Sequence, residues 1–330
     1  MTDDEGLIGT VARGTGGVWH VVTADGTVHE ASMRGRLKKA DVGRRAGGTI
    51  RRDTAAAARE VLKLAVGDRV RLEPDERGST LAIAEILPRT SRLARRAPAG
   101  ARGERVLAAN VDQVVLVFAA ARPEPHPRML DRFLVIAEAN DLPARIVVNK
   151  VDLVDLAEAE ARFAAYPRAG YPVHLTSAKR GDGMEELRAV LGGRTSVLTG
   201  PSGTGKSSLI NALFPGLDLR VGEISASVNK GRHTTVGASL HALPGAAGGF
   251  VVDTPGLREV GMWELPVESL DRCFPEIRAV RDQCRFADCR HGVEPDCAVR
   301  AAVARGDVDV ARYESYLKLS EELASEKPVW

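Results

Sequence analysis

A complete phosphate-binding loop, Gly-Pro-Ser-Gly-Thr-Gly-Lys-Ser, occupies residues 200–207, well inside the chain. The motifs Asn-Lys-Val-Asp at 149–152 and Ser-Ala-Lys at 177–179 precede this loop, and Asp-Thr-Pro-Gly at 253–256 follows it. In an ordinary GTPase the phosphate-binding loop comes first, and the Asn-Lys-x-Asp and Ser-Ala-Lys motifs, which contact the guanine base, come last. The parts of a guanine-nucleotide site are therefore present in rotated order, which predicts a circularly permuted GTPase domain.

The composition indicates a globular protein with room for two or three domains. The chain has 330 residues, of which 44% are hydrophobic and 27% are charged. Its longest apolar run, residues 114–121, is too short to cross a bilayer. The acidic start at residues 1–5 lacks the basic and then apolar pattern of a secretory signal. We expect a cytoplasmic protein without membrane contact.

The first ninety residues predict a small β-barrel. Apolar segments at 7–11, 18–22, 68–72 and 80–84 alternate with glycine-containing turns, as in an OB-type barrel. Basic residues cluster nearby, with nine Lys or Arg between 34 and 59 and six Arg between 89 and 105. Such stripes suit either an RNA backbone or a pair of solvated connectors. Because Trp19 is the only aromatic residue of this segment, RNA binding there would be mainly electrostatic.

The rest of the chain predicts two further domains. Continuous apolar runs at 114–118, 144–148, 196–199 and 250–252, with a helix over 128–140, indicate an α/β domain with a mostly parallel, buried sheet. A cysteine-containing segment with a helix over 308–324 follows. The predicted domains are a barrel at 1–90, a permuted GTPase domain at 91–264 and a zinc-binding helical domain at 265–330.

The phosphate-binding loop has the lysine and serine that a nucleoside triphosphate requires. Its glycines let successive backbone N–H groups point at phosphate oxygens, and the N-terminus of the following helix adds partial positive charge. Lys206 is predicted to reach the β- and γ-phosphates, and the Ser207 hydroxyl to bind Mg²⁺. Taken alone, this loop also suits an ATP-using protein.

Asp152 is the residue that favours guanine. Its carboxylate can accept from N1–H and the 2-amino group together, whereas adenine would leave it unpaired. Asn149 is expected to support the base, the Lys150 stem to cover it, and the Ser-Ala-Lys motif to offer a backbone N–H to guanine O6. The predicted nucleotide-binding residues are Asn149, Lys150, Val151, Asp152, Ser177, Ala178, Lys179, Gly200, Pro201, Ser202, Gly203, Thr204, Gly205, Lys206, Ser207 and Ser208.

The segment after the phosphate-binding loop supplies the predicted switch. Asp253 ends an apolar strand and is expected to hold Mg²⁺ through water, while the N–H of Gly256 meets the γ-phosphate. Residues 231–235, Gly-Arg-His-Thr-Thr, form a polar loop in which either Thr234 or Thr235 is expected to bind Mg²⁺. The sequence does not distinguish these two threonines.

Leu257 stands where many GTPases have a glutamine that orients the attacking water. Leucine can neither donate nor accept a hydrogen bond, so unaided hydrolysis is expected to be slow. His233 could approach that water, or it could be an ordinary surface histidine. The predicted catalytic residues are Lys206, Ser207, His233, Thr234, Thr235, Asp253 and Gly256.

A second site is predicted near the end of the chain. Cys284, Cys289, His291 and Cys297 lie within 14 residues, and three thiolates with one imidazole suit a tetrahedral structural Zn²⁺, one per chain. Disulfides would be unusual in a reducing cytoplasm, and isolated buried cysteines are the other interpretation. Cys273, 11 residues upstream, is predicted to be a buried thiol.

The permuted order, the barrel and this zinc segment together resemble the bacterial ribosome small subunit-dependent GTPase A family over nearly the full length. Further matching segments are Met-Arg-Gly-Arg-Leu at 33–37, Val-Gly-Asp-Arg-Val at 66–70, Ala-Asn-Val-Asp-Gln at 109–113 and the 231–235 loop. The hydrophobic residue at position 257 also matches the family. The basic insert at 38–65 departs from its pattern, and its contact with RNA is not predicted.

The resemblance implies a GTP hydrolase that acts late in maturation of the small ribosomal subunit. Family members bind near the decoding region, contact 16S rRNA through the barrel and the zinc domain, and are strongly activated by the subunit. We expect a monomer that uses Mg²⁺ with GTP. Two alternatives remain: a permuted GTPase of large-subunit assembly, and a zinc-dependent RNA-binding assembly factor whose nucleotide site is mainly structural.

Overall fold

The computed structural model describes residues 6–34, 63–75, 80–96, 104–217, 238–245, 248–253 and 265–325. Most of the basic insert, the 231–235 loop and residues 254–264 lie outside this part of the chain. Among the described residues, no helix has both the length and the apolar composition needed to cross a membrane.

The N-terminal segment forms a closed five-stranded barrel, which confirms the predicted OB-type architecture. Its strands are β1 (Leu7–Thr15), β2 (Val18–Thr23), β3 (Val28–Met33), β4 (Arg69–Pro74) and β5 (Leu81–Ile86). They pair in the order β1-β2-β3-β5-β4, and β4 pairs back to β1. Only the β3–β5 pair is parallel. Apolar side chains that alternate along these strands fill the interior.

A hairpin connects the barrel to the next unit. Its strands are β6 (Arg92–Arg96) and β7 (Glu104–Ala109), paired antiparallel. The turn before β4 packs against the end of β7, where the Ala109 N–H donates to Val66 O at 2.8 Å and Asn110 Nδ2 donates to Gly67 O at 2.8 Å. The segments 66–70 and 109–113, singled out in the sequence, are therefore two sides of one junction.

A buried ion pair holds the base of this junction. Arg89 Nε and Nη2 donate to Asp68 Oδ1 and Oδ2 at 2.7 and 2.8 Å, and Asp68 Oδ2 also accepts from the Ala65 N–H at 2.7 Å. The Asp68 side chain is fully buried, and that of Arg89 is 8% exposed. Arg89, the first residue of the basic run, is therefore engaged inside the fold and is not free to bind a phosphate backbone.

Replacing Arg89 with alanine is expected to destabilise the barrel by about 3 kcal/mol, because it leaves a buried carboxylate without its counter-ion. Arg71→Ala is the matched control, since Arg71 pairs with Glu85 at 3.2 Å on the barrel surface and should contribute at most about 1 kcal/mol. Urea unfolding of both variants measures the difference. Equal urea midpoints for the two variants would show that the buried pair stabilises the barrel no more than the surface pair does.

The second unit is a six-stranded α/β sheet in the order β10-β9-β8-β11-β13-β12. All neighbouring strands are parallel except the antiparallel edge strand β12. Its elements are β8 (Gln113–Ala119), α1 (Pro127–Glu138), β9 (Ala144–Asn149), α2 (Leu156–Phe163), α3 (Ala165–Arg168), β10 (Val173–Leu175), α4 (Met184–Leu191), β11 (Thr195–Thr199), α5 (Lys206–Leu213), β12 (Ser239–Ala242) and β13 (Phe250–Asp253). A 3-10 turn, Val151–Leu153, follows β9.

The sheet brings the predicted motifs to one edge. Strands β9, β10, β11 and β13 run parallel, and each predicted motif begins at or just beyond the carboxyl end of one of them. Residues 149–152, 177–179, 200–207 and 253 therefore share the edge where open α/β sheets bind ligands. Strand β8 is buried along its full length, as its continuous apolar run predicts.

The C-terminal unit packs against α1. It contains a 3-10 helix (Val267–Cys273), α6 (Pro275–Arg278), a 3-10 turn (Arg281–Gln283), α7 (Ala298–Arg305) and α8 (Val310–Ser325). Val135 of α1 belongs to the same apolar core as Phe274, Tyr316 and Leu319. Tyr316 and Leu319 are thus packing residues. The boundaries at residues 90 and 264 remain predictions.

Candidate nucleotide-binding site and metal centre

The loop at 200–207 joins β11 to α5 and needs glycine at defined positions. Gly200 and Gly205 have φ values of 133° and 89°, a region in which other residues are strained. A Cβ at Gly200 would lie 2.2 Å from Val117 O, and one at Gly205 would lie 2.6 Å from Asn149 Nδ2. These contacts explain why the loop can lie so closely against the neighbouring strands.

The start of α5 combines the ammonium group of Lys206 with the N–H groups of the first helical turn. Lys206 is only 5% exposed, and its Nζ donates to Gly200 O at 2.9 Å and Pro201 O at 2.6 Å. The first N–H groups of a helix have no acceptor within it, so they can bind an anion together with this ammonium. Ser207 is buried in the same turn, whereas Ser208 is exposed. The arrangement suits the phosphates of a nucleotide.

Asn149 links three of the predicted loops. Its Nδ2 donates to Thr204 O at 2.9 Å, and its Oδ1 accepts from the Ala178 N–H at 3.2 Å. The side chain is 2% exposed, so its amide is held by these two bonds. The loops that begin after β9, β10 and β11 are therefore fixed relative to one another by a single residue.

Lys150 connects the phosphate-binding loop to the segment before α1. Its backbone is left-handed, with φ of 63°, and its Nζ donates to Gly203 O at 2.6 Å and also to Arg122 O. Arg162 holds the same segment, because its Nη1 donates to Ala120 O at 3.1 Å. The sequence reasoning missed this segment, although its position directly after β8, at the ligand-binding edge, could have indicated it.

Asp152 is oriented by the Ser-Ala-Lys motif. Ser177 Oγ donates to Asp152 Oδ1 at 2.7 Å and accepts from the Arg180 N–H at 3.1 Å. The hydrogen bond from Ser177 holds the pKa of the Asp152 carboxyl below its usual value, and the nearby Lys179 and Arg180 charges lower it further. Asp152 is therefore an ionised acceptor at neutral pH.

Asp253 lies on the strand next to the phosphate-binding loop. It ends β13 and is the register partner of Leu198 in β11, two residues before Gly200. His233, Thr234, Thr235, Gly256 and Leu257 lie outside the described residues, so their predicted roles stay predictions.

The four predicted metal ligands come together in the C-terminal unit. The three sulfurs and one imidazole nitrogen all lie within 4.8 Å of one another, with Cys284 Sγ 3.5 Å and Cys297 Sγ 3.6 Å from His291 Nδ1. This donor set fits tetrahedral Zn²⁺. Cys273 lies apart as a buried thiol, as predicted, and burial raises its pKa to about 12.

Neighbouring side chains hold the metal-ligand loop in place. Asp271 Oδ2 lies 3.5 Å from His291 Nε2, a position from which a carboxylate fixes the imidazole orientation. From α8, Tyr313 Oη donates to His291 O at 2.5 Å and Tyr316 Oη donates to Arg290 O at 3.1 Å. The loop that carries the four candidate ligands is therefore held in place by α8.

Replacing Cys289 with serine, or adding a chelator, is expected to unfold the C-terminal unit while nucleotide binding survives. Four protein ligands indicate a structural metal, whose binding energy contributes directly to folding. Metal analysis, circular dichroism and nucleotide titration check the expectation. Cys273→Ser is the control, and it should retain the metal. Protein prepared without chelators that contains no zinc would contradict this interpretation.

The fold and the nucleotide-site geometry define a class of protein. The loops after β9 and β10 precede the phosphate-binding loop in sequence. Asn149 and Lys150 bond directly to the phosphate-binding loop, and the loop after β10 is joined to it through Asn149. The phosphate-binding loop leaves β11 in the interior of the sheet. This is the architecture of a circularly permuted GTPase.

Comparison with known proteins gives the family. Residues 86–263 match the family model described as RsgA GTPase. The "Small ribosomal subunit biogenesis GTPase RsgA" of Gemmatimonas aurantiaca is 58% identical over 316 residues, which cover 96% of this chain and 97% of that protein. A protein of the same description from Bacteroides fragilis is 37% identical over 317 residues, 95% and 96% of the two chains. The chain belongs to the RsgA GTPase family.

Two solved structures share the whole architecture. YjeQ from Thermotoga maritima has a TM-score of 0.75 and 34% identity, and the match covers 97% of this chain and 99% of that one. YloQ, described as a circularly permuted GTPase, has a TM-score of 0.70 and 27% identity, with coverage of 98% and 97%. The resemblance expected from the sequence is thereby confirmed.

Proposed function

We propose that this protein hydrolyses GTP during biogenesis of the small ribosomal subunit and that the subunit stimulates the reaction. The observation that carries the proposal is the hydrogen-bonded connection, through Asn149 and Lys150, between the guanine-reading loops and the phosphate-binding loop. Asn149 bonds to both Thr204 and Ala178, and Lys150 bonds to Gly203. The printed names of the relatives supply the biological setting.

The roles of the residues follow from their positions. Asp152, ionised and oriented by Ser177, accepts from the two donors of the guanine edge. Lys206, held by two loop carbonyls, presents its ammonium to the β- and γ-phosphates, where negative charge develops during transfer. Ser207 and Asp253 would hold the Mg²⁺ that accompanies GTP, a cation that neutralises phosphate charge.

The water-activating group is proposed to come from elsewhere than position 257. Leu257 offers no hydrogen bond to water, so the remaining candidates are His233 and groups supplied by the subunit. One Zn²⁺ bound by the Cys₃His cluster would stabilise the C-terminal unit. That unit and the barrel are proposed to contact 16S rRNA, with the protein acting as a monomer in the cytoplasm.

GTP hydrolysis measured with and without purified small subunits tests this function. We expect at least about ten-fold faster turnover with small subunits, because they would complete a site that lacks its own water-orienting group. Large subunits serve as the matched control, and Lys206→Ala should abolish turnover with either. Equal rates with both subunits would contradict the assignment to small-subunit biogenesis. No turnover under any condition would favour an RNA-binding factor with a structural nucleotide site.

A further inference from the structure

A cavity of about 270 Å³ opens beside the Cys₃His cluster. Its wall includes three of the four metal ligands, together with Asp271, Arg281, Asp282, Arg285 and Phe286. This volume is far larger than a single ion or water molecule needs. Because the four protein ligands already complete a tetrahedral zinc site, the metal itself would leave most of the cavity open to another ligand.

One part of the wall contains a buried acceptor without a partner. Asp271 is 6% exposed. Its Oδ2 is 2.7 Å from Arg281 Nε, whereas its Oδ1 has no hydrogen bond to any residue that the structure describes. Leaving such an oxygen unpaired is costly, so a ligand whose N–H donor reaches it from the cavity would be favoured. The exposed carboxylate of Asp282 lies in the same wall and offers a further acceptor.

Another part of the wall is flat and aromatic. Phe286 is 41% exposed, and it is the one aromatic residue among the exposed large hydrophobic side chains that the structure describes. The Arg285 guanidinium lies 5.6 Å from the centre of that ring and also pairs with Asp296 at 2.9 Å. Both planar groups are surfaces on which unpaired bases of RNA stack.

The charges of the cavity wall favour a neutral nucleobase over a phosphate group as the ligand. Apart from the metal ligands, the lining contains two guanidinium groups, from Arg281 and Arg285, and two carboxylates, from Asp271 and Asp282, so these four charges cancel. Each guanidinium is already paired with a carboxylate. A phosphate would gain little here, whereas a neutral planar ring with amino donors matches both the aromatic and the acceptor surfaces.

We propose that this cavity binds one unpaired nucleobase of RNA that carries an exocyclic amine. The base would stack on Phe286 and donate its amine to the carboxylates of Asp271 and Asp282. The inference rests on the proposed function for the presence of RNA, and it adds the site and the chemical class of base. Uracil, which has an oxygen where cytosine has an amine, should be the poorer ligand.

Fluorescently labelled single-stranded RNA ten-mers of cytosine and of uracil provide the test, with the zinc-loaded full chain and without GTP or subunits. Anisotropy should show about ten-fold tighter binding of the cytosine ten-mer, since the two differ at one base edge. Phe286→Leu keeps an apolar side chain but removes the stacking surface, so it should weaken cytosine binding about ten-fold. Val293→Ala, a change at a 92% exposed valine in the same unit, is the control and should bind normally.

Two further measurements keep the outcome clear. Zinc content of Phe286→Leu reports whether the unit still folds, and Phe286→Trp adds a fluorophore whose emission should be quenched by the cytosine ten-mer relative to the unsubstituted chain. Equal affinity for the two ten-mers, or unchanged binding by folded Phe286→Leu, would overturn the proposal. Because the assay contains neither GTP nor subunits, the proposal can fail while subunit-stimulated hydrolysis stands, and the reverse also holds.

Discussion

Replacing Asp152 with asparagine should lower the affinity for GTP by about a hundred-fold and make xanthosine triphosphate the better ligand. The ionised carboxylate offers acceptors to both N1–H and the 2-amino group of guanine, and each hydrogen bond to a charged group is worth about 1.5–3 kcal/mol. Asparagine presents one acceptor and one donor, so one guanine N–H meets another N–H. The 2-oxo group of xanthine accepts from the new amide, which restores the match.

Asp155→Asn is the matched control for this change. Asp155 caps α2, where its Oδ1 accepts from the Ala157 N–H at 2.9 Å, so the same chemical substitution is made three residues away without touching the guanine-reading loops. Calorimetric titration of both variants with GTP and xanthosine triphosphate gives the comparison. If Asp152→Asn binds GTP as tightly as Asp155→Asn does, Asp152 does not read the base.

The sequence was most informative where a motif and a buried strand coincide. Strands β9, β11 and β13 were predicted to within one or two residues because each is a continuous apolar run that ends at a motif. Because parallel strands share their carboxyl ends, residues 149–152, 177–179, 200–207 and 253 lie at one edge of the sheet. The cysteine cluster was equally predictable, because its ligands are close in sequence.

Elements whose role depends on distant partners were not predictable in the same way. Strand β3 has a polar sequence, Val-His-Glu-Ala-Ser-Met, and owes its place to pairing with β2 and β5. Strand β12 is a four-residue antiparallel edge strand. Arg89 was counted with a basic run, yet its partner, Asp68, lies 21 residues away. Charge patterns along the sequence do not show which basic residues are buried in ion pairs.

The contact between the GTPase sheet and the C-terminal unit depends on an arginine that the sequence did not single out. Arg312 of α8 is 2% exposed. Its Nη1 donates to Asp131 Oδ1 of α1 at 2.6 Å, across 181 residues, and its Nε donates to Glu276 Oε1 of α6 at 2.7 Å. The guanidinium also lies 4.6 Å from the centre of the Phe274 ring. One cation therefore joins three helices.

Removing this cation would leave two buried carboxylates at the same place. Burial already raises the pKa of the Asp131 carboxyl, and the Arg312 guanidinium is the largest influence that lowers it. Breaking a buried ion pair by deleting one partner costs about 3–5 kcal/mol, because the remaining charge is uncompensated. The effect should exceed that of any surface ion pair in the chain by several-fold.

Arg312→Met, which keeps most of the side-chain length, should therefore lose about 3–5 kcal/mol in the urea transition of the C-terminal unit. Arg168→Met is the matched control, because Arg168 is 64% exposed and pairs with Asp309 at 2.7 Å, also between the two units. It should lose no more than about 1 kcal/mol.

Adding Asp131→Leu and Glu276→Leu to Arg312→Met should recover part of the loss, since a well-packed apolar cluster can replace a buried ion network. If the two arginine variants are equally stable, the ion network is not what joins the C-terminal unit to α1, and the apolar contacts of Val135 would have to hold that interface.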